Sequence, residues 1–241
     1  MNKIICLTLW LLIILLAGCS AAGSSASKPS SRATISSPSL QTETFKLPEP
    51  KLKSSVSLEE ALLDRRSVRD YEDLPLAIDE ISQILWAAQG ITDTSGRRTA
   101  PSAGALYPLE VYMAVGEVTG LSSGVYKYRP DGHLLVKVRD GEARENLAKA
   151  ALGQTPVREG AIDIVIAAVY DRTTSKYGDR GITYAHLEAG HAAQNLSLQA
   201  VALNLGSVTI GAFDDGQVKN ALGLAENESP LYVIPVGKKN N

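Results

Sequence analysis

The sequence predicts an α+β domain. Short apolar, β-branched runs read as strands, amphipathic or alanine-rich stretches read as helices, and the two follow one another without a regular strand–helix–strand alternation. Ser57 followed by Glu60 has the spacing of a capping box and opens a helix over 58–66 that ends in Arg65 and Arg66. A second helix covers 76–88, with Ile78, Ile81, Leu85 and Ala88 on one face and Gly90 as its stop. A loop of small residues leads into a strand at 110–115. Strands at 125–128 and 134–138 flank the turn Pro130-Asp131-Gly132. A helix follows at 142–152, then an almost uniformly apolar strand at 162–170, a pattern that needs cover on both faces. The longest helix runs over about 184–204 and carries Ala185, Ala189, Gly190, Ala192, Ala193 and Ala200 on several sides, so it is buried and packs closely against another helix. Strands at 207–210 and 231–236 bracket a helix at 217–222.

The chain has 241 residues, 44% of them hydrophobic, enough for the core of one domain. A net charge of -2 and an aromatic content of 5% argue against a nucleic-acid partner, which calls for a basic surface or a stacking platform. Lys3 precedes an apolar run from Ile4 to Leu16, about 13 residues, which is the size of a signal-peptide core. A membrane span needs roughly 20. Leu16-Ala17-Gly18-Cys19 has the form of a bacterial lipobox, with Cys19 as the lipidated residue. The expected organisation is a signal peptide at 1–18, a lipid-bearing Cys19 with a disordered Ser/Ala/Pro-rich tether to residue 52, and a domain at 53–241. An uncleaved anchor is the alternative. Either way the chain is expected outside the cytoplasm, anchored in the cell envelope. Cys6 and Cys19 are the only cysteines, so the folded domain has no disulfide, thiolate nucleophile or zinc-thiolate site.

Four stretches invite a chemical reading. Arg65, Arg66, Ser67 and Arg69 place three guanidiniums and a hydroxyl within five residues; they fit a phosphate, or simply the negative end of a helix and then water. Pro101, Ser102, Ala103, Gly104 and Ala105 form a loop with little side chain, against which a flat ring can lie. Gly211 and Ala212 offer backbone N–H groups, or belong to an ordinary turn capped by Asp214 or Asp215. Lys238 and Lys239 add positive charge or form a solvated tail. His186 and His191, with Glu188 between them, are five residues apart and so about 140° apart around a helix, which speaks against a metal pair. No metal site is expected, and His191 reads as a packed, hydrogen-bonded helix residue.

The stretches RRSVRDY, APSAGALYP, LEAGHAAQNLSLQA, TIGAFDD and LYVIPVGKK, in this order over about 56–239, resemble the nitroreductase family and its SagB-type dehydrogenase branch. The resemblance implies a mostly antiparallel central sheet sandwiched by helices, and a homodimer formed through long central helices with FMN at the interface. By position, Arg65, Arg66, Ser67 and Arg69, with Lys238 or Lys239, would hold the phosphate and ribityl chain. Pro101, Ser102, Ala103, Gly104 and Ala105 would come from the other subunit along the ring, and Gly211 and Ala212 would lie near its N5 edge. Lys176 and Tyr177, in a polar segment read as a loop, resemble a region used near the active site in the SagB-type branch; a solvated loop is the alternative. The implied activity is an FMN-dependent oxidoreductase working in alternating half-reactions on a small organic substrate, by nitro or quinone reduction or by SagB-type dehydrogenation. The electron donor would be NAD(P)H, a quinol or a redox protein. SagB-type enzymes work beside cytoplasmic partners, which the lipobox does not suit. The rival reading is a tethered module that keeps the fold and binds a ligand or partner without turnover.

Overall fold

The computed structural model describes residues 43–240. The expected signal peptide, Cys19 and the tether up to residue 42 lie outside them. Among the described residues, eight strands form one sheet: β1 Thr44–Lys46, β2 Tyr71–Glu72, β3 Leu109–Val115, β4 Gly124–Arg129, β5 Leu134–Asp140, β6 Ile162–Ala168, β7 Leu205–Ser207 and β8 Ser229–Lys239. Their order is β1-β5-β4-β3-β6-β8-β2, with β7 also on β8. Every ladder is antiparallel. The helices are α1 Leu58–Asp64, α2 Ile78–Gln89, α3 Arg144–Ala150, α4 Thr155–Glu159, α5 Asp171–Tyr177, α6 Arg180–Ala202 and α7 Asp215–Leu222.

Side chains on a strand alternate between faces, and β3 sorts the molecule into layers accordingly. Val111, Met113 and Val115 pack with Ile81, Ile84 and Leu85 of α2 and with Ala189, Ala192 and Leu196 of α6. Tyr112 and Ala114 face the opposite way, towards Leu147 of α3, Val157 of α4 and Val218 and Leu222 of α7. The sheet is thus sandwiched by helices, and β3 and β6 are buried at every position. Burial on both faces explains why both read as continuous apolar runs. One position of β6 departs from that pattern. Asp163 is fully buried with neither carboxylate oxygen hydrogen-bonded, and burial pushes its pKa well up while Arg144 pulls it the other way.

Of the boundaries that differ from the expectation, three bear on the site. The domain does not start at residue 53: β1 pairs with β5 in the register Phe45 to Leu135, and Leu47 is buried in the core. In sequence, residues 44–47 look like more of the tether because a three-residue edge strand has no periodicity of its own. The polar segment expected as a loop before the long helix is α5. Its Thr173 and Thr174 hydroxyls donate back to the Tyr170 carbonyl (3.0 and 3.2 Å), turning the polar side chains onto the helix's own backbone. Gly178, at φ 56, breaks the chain before α6. Finally, β8 continues through Lys238 and Lys239, so these are strand residues and not a tail.

Candidate active site

The arginine segment is positioned by its backbone. Ser57 caps α1 reciprocally with Glu60: the Glu60 N–H donates to Ser57 Oγ (3.1 Å) and the Ser57 N–H to Glu60 Oε2 (2.7 Å). The helix ends at Asp64, and Arg65 leaves it in an extended conformation. Six residues on, the buried Tyr71 hydroxyl donates to the Val68 carbonyl (2.9 Å), with the Pro235 carbonyl at 3.3 Å. Its ring packs against Gly237, where a Cβ would come within 2.8 Å of it, so glycine is the residue that fits there. Val68 N–H donates to Ser207 of β7 (3.0 Å). The segment is thereby laid on β7 and β8 while Arg66, Ser67 and Arg69 stay exposed and Arg65 half-buried.

None of these three guanidiniums has a carboxylate within ion-pair distance among the described residues. Arg66 folds back to donate to the carbonyls of Leu63 and Arg65, both at 2.8 Å. Lys239 faces Tyr71 across the β2–β8 ladder, and Lys238 is opposite Glu72. Lys238 Nζ is already engaged by Glu80 (2.5 Å), which leaves Lys239 as the ammonium of the pair with no ion pair among the described residues.

The loop of small residues is positioned by side chains instead. Ala103–Ala105 is a single 3₁₀ turn, and Gly104, Ala105 and Tyr107 all have positive φ (61°, 55° and 46°). For Ala105 and Tyr107 this left-handed backbone costs about 1–2 kcal/mol each. Glu188 of α6, buried, accepts the Ala103 N–H (2.8 Å). Burial raises the Glu188 pKa, the Ala103 amide and Ser102 hydroxyl opposing it. Ser102 Oγ accepts the Tyr107 N–H (2.8 Å), so this hydroxyl is used within the loop itself. Tyr107 is clamped: the Arg98 guanidinium lies 4.3 Å above its ring and Arg172 donates to its carbonyl (2.9 Å).

Lys176 and Tyr177, at the end of α5, close on the same loop. A Cβ at Gly104 would lie 2.7 Å from Tyr177 Oη and 2.9 Å from Lys176 Nζ, so both polar heads converge where the loop carries no side chain. Tyr177 is also held edge-on by Tyr184 of α6, ring centroids 5.1 Å apart.

Gly211 and Ala212 are exposed in the turn before α7, which Asp214 caps by accepting the Gln217 N–H (2.8 Å). Tyr232 is the nearest neighbour of a Cβ at Gly211, at 3.9 Å. Tyr232 also lines a cleft of about 300 Å³ with His186, Ala189 and Leu231. His186 Nε2 is 2.7 Å from the Tyr170 hydroxyl, a pair that the sequence did not single out. His191 is exposed on α6, without a hydrogen bond among the described residues, contrary to the expectation of a packed residue, because its side of the helix faces away from the sheet. A cavity of about 490 Å³ lies by Lys51, Glu80, Gln83 and Gln199, and none of the expected site residues lines it.

The structure therefore joins Gly104 to Lys176 and Tyr177, and joins Arg65–Arg69 to the Lys239 end of β8. No hydrogen bond or ion pair links these two groups within the chain among the described residues. A flavin fits what is there: unpaired guanidiniums for its phosphate and small residues with open backbone for its ring.

The nitroreductase family profile matches residues 62–238. A protein of Methanocaldococcus jannaschii, provisionally named a nitroreductase, is 49% identical over 184 residues, 76% of this chain and 92% of its own. The microcin B17-processing protein McbC of Escherichia coli is 29% identical, over 69% of this chain and 64% of its own length. A crystal structure from Ralstonia eutropha, also provisionally assigned as a nitroreductase, superposes with a TM-score of 0.72 at 28% identity, covering 82% of this chain and 90% of that one.

Proposed function

This chain belongs to the nitroreductase family, whose members are generally FMN-dependent oxidoreductases, and from that premise we propose that it binds FMN in a homodimer and oxidises or reduces a small organic substrate. The observation that carries the reading is the convergence of Lys176 Nζ and Tyr177 Oη on Gly104, in the loop that the resemblance assigns to the flavin ring. Bound FMN would supply hydride transfer. Arg65, Arg66, Ser67 and Arg69, with Lys239, would hold its phosphate, and the backbone of Gly211 and Ala212 would meet the ring edge. Pro101, Ser102, Ala103, Gly104 and Ala105 would reach it from the partner subunit, bringing that subunit's Lys176 and Tyr177 with them.

Exposed leucines on α1 (Leu58, Leu62, Leu63) and on α6 (Leu187) support the dimer, since an outward apolar face on two packed helices calls for cover. In the reaction, Tyr177 Oη and Lys176 Nζ would hold or pass a proton beside the substrate, while Glu188 fixes the loop that carries Gly104. The likeness to McbC, a microcin-processing protein, supports a SagB-type role, and the likeness to the archaeal protein supports reduction of nitro groups. Export and lipidation at Cys19 are part of the proposal, and they favour a quinol or redox-protein donor over NAD(P)H.

The test is the absorbance spectrum of purified residues 20–241, with the released cofactor identified. A flavin spectrum with about one FMN per chain is expected. Tyr177→Phe and Lys176→Met should keep that spectrum and lose turnover with every donor and acceptor pair that the wild type uses. A colourless protein that does not take up FMN would overturn the reading and leave a tethered binding module.

A further inference from the structure

At the ends of β3 and β4 lies a half-enclosed pocket of about 200 Å³ whose walls include Gln89, Arg98, Glu110, Tyr128, Arg129 and Arg172. Its charges do not balance internally. Glu110 is taken on one oxygen by Arg172 and on the other by Lys127 (3.1 Å), and Lys127 also pairs with Glu228 (2.6 Å). Glu228 in turn accepts the Tyr112 hydroxyl (2.6 Å) and the Ala225 N–H (2.9 Å). Two carboxylates, one ammonium and one guanidinium thus neutralise one another. Arg98 and Arg129 remain, with only the exposed Asp131 as a further acid on the wall.

Arg98 gives one hydrogen bond, from Nη1 to Gln89 Oε1 (2.7 Å), and stacks on Tyr107. Its Nε is buried without a hydrogen-bond partner among the described residues. The Arg129 side chain, at the end of the β4–β5 ladder, makes no hydrogen bond or ion pair among the described residues. A buried guanidinium N–H left unmade is costly, and an anion with two or three oxygens is the partner that a fork of donors matches.

We propose that this pocket, framed by Arg98, Arg129 and Arg172, binds the phosphate or carboxylate group of a small molecule. It shares no residue with the Arg65–Arg69 segment. Through Tyr107 and Arg172 it is continuous with the loop at Gly104 and with α5, so an occupant would sit beside the candidate active site. The group recognised belongs either to the substrate itself or to a free anion, and the chemistry of recognition is the same.

The experiment titrates inorganic phosphate by calorimetry into residues 20–241 kept saturated with FMN, using the wild type, Arg129→Gln, Arg98→Gln and Arg69→Gln. Arg129 is exposed and unbonded, so its variant folds, whatever the fate of Arg98→Gln. Expected is binding by the wild type and by Arg69→Gln, weakened at least tenfold in Arg129→Gln. Absence of binding by the wild type, wild-type affinity in Arg129→Gln, or loss only in Arg69→Gln would each overturn the proposal. On a chain that takes up no FMN the same titration is run without it, and weakening confined to Arg129→Gln still reads this pocket separately from the Arg65–Arg69 segment. The two sources separate in steady-state reduction of 4-nitrobenzoate against nitrobenzene. A KM raised in Arg129→Gln for the carboxylate alone supports the substrate as the source. Equal KM values together with phosphate binding support a free anion.

Discussion

Residues 65–69 and residues 101–105 are assembled in opposite ways. The first stretch is held by its neighbours' backbone, through Tyr71 on Gly237 and Val68 on Ser207, and its guanidiniums have no carboxylate partner among the described residues. The second has little side chain of its own and is held by the side chains of other elements, Glu188 from α6 and Arg98 and Arg172 at Tyr107. One region keeps its functional groups free by fixing the main chain beneath them; the other keeps its main chain free by fixing it from behind. The consequence is that substitutions separate into two kinds. Those that touch an anchor change stability first, and those that touch a free group change ligand affinity first.

The largest effect should come from the anchor that both Tyr71 and β8 share. Gly237→Ala forces a methyl into the Tyr71 ring, which packed surroundings cannot yield. A loss of about 3 kcal/mol is expected, the upper range for overpacking a core. Chemical denaturation measures it, and FMN affinity should fall with it because the backbone of 65–69 is displaced. A variant as stable as the wild type would mean that Tyr71 is not what seats the segment.

Arg69→Ala tests the free group of the same region. The side chain contributes no ion pair to the fold, so the denaturation midpoint should stay within error while FMN binds more weakly by about 2 kcal/mol, roughly thirtyfold. Fluorescence titration of the apoprotein reads this directly. Unchanged affinity would remove Arg69 from the phosphate site, and a lowered midpoint would break the division between anchors and free groups.

Much of this division was legible in the sequence and part was not. The capping box at Ser57 and Glu60, the arginine cluster and the small-residue loop are local patterns, and local patterns survive in a single chain's text. The long helix was visible from its alanine content, although it starts at Arg180, four residues before the expected Tyr184, because the polar first turn breaks the apolar periodicity. What could not be read is tertiary. Nothing near Gly104 in sequence points to Lys176 and Tyr177, which arrive from about seventy residues away through the folding of α5 against α6. In sequence, Glu188 stands out only as a residue between two histidines. A lone carboxylate on the buried face of an alanine-rich helix is itself a signal that some donor must meet it.

That carboxylate supplies the smallest and most specific prediction. Burial raises the Glu188 pKa, so the folded chain holds its proton to higher pH than the unfolded chain does. Between the ordinary carboxylate range and the raised value the folded state binds more protons than the unfolded one, and stability therefore falls as pH rises, by at most about 1.4 kcal/mol per pH unit. The contribution is fully present below the ordinary range and is lost as pH passes through the raised value. Glu188→Gln keeps an oxygen for the Ala103 N–H and cannot ionise, so the loop should stay anchored, with stability within about 1 kcal/mol of the wild type at low pH. Above that range the variant should lose less stability with rising pH than the wild type, so the two curves separate in its favour. Parallel curves across the carboxylate range would mean that solvent reaches Glu188 and that the loop at 101–105 is held by Ser102 and Tyr107 alone.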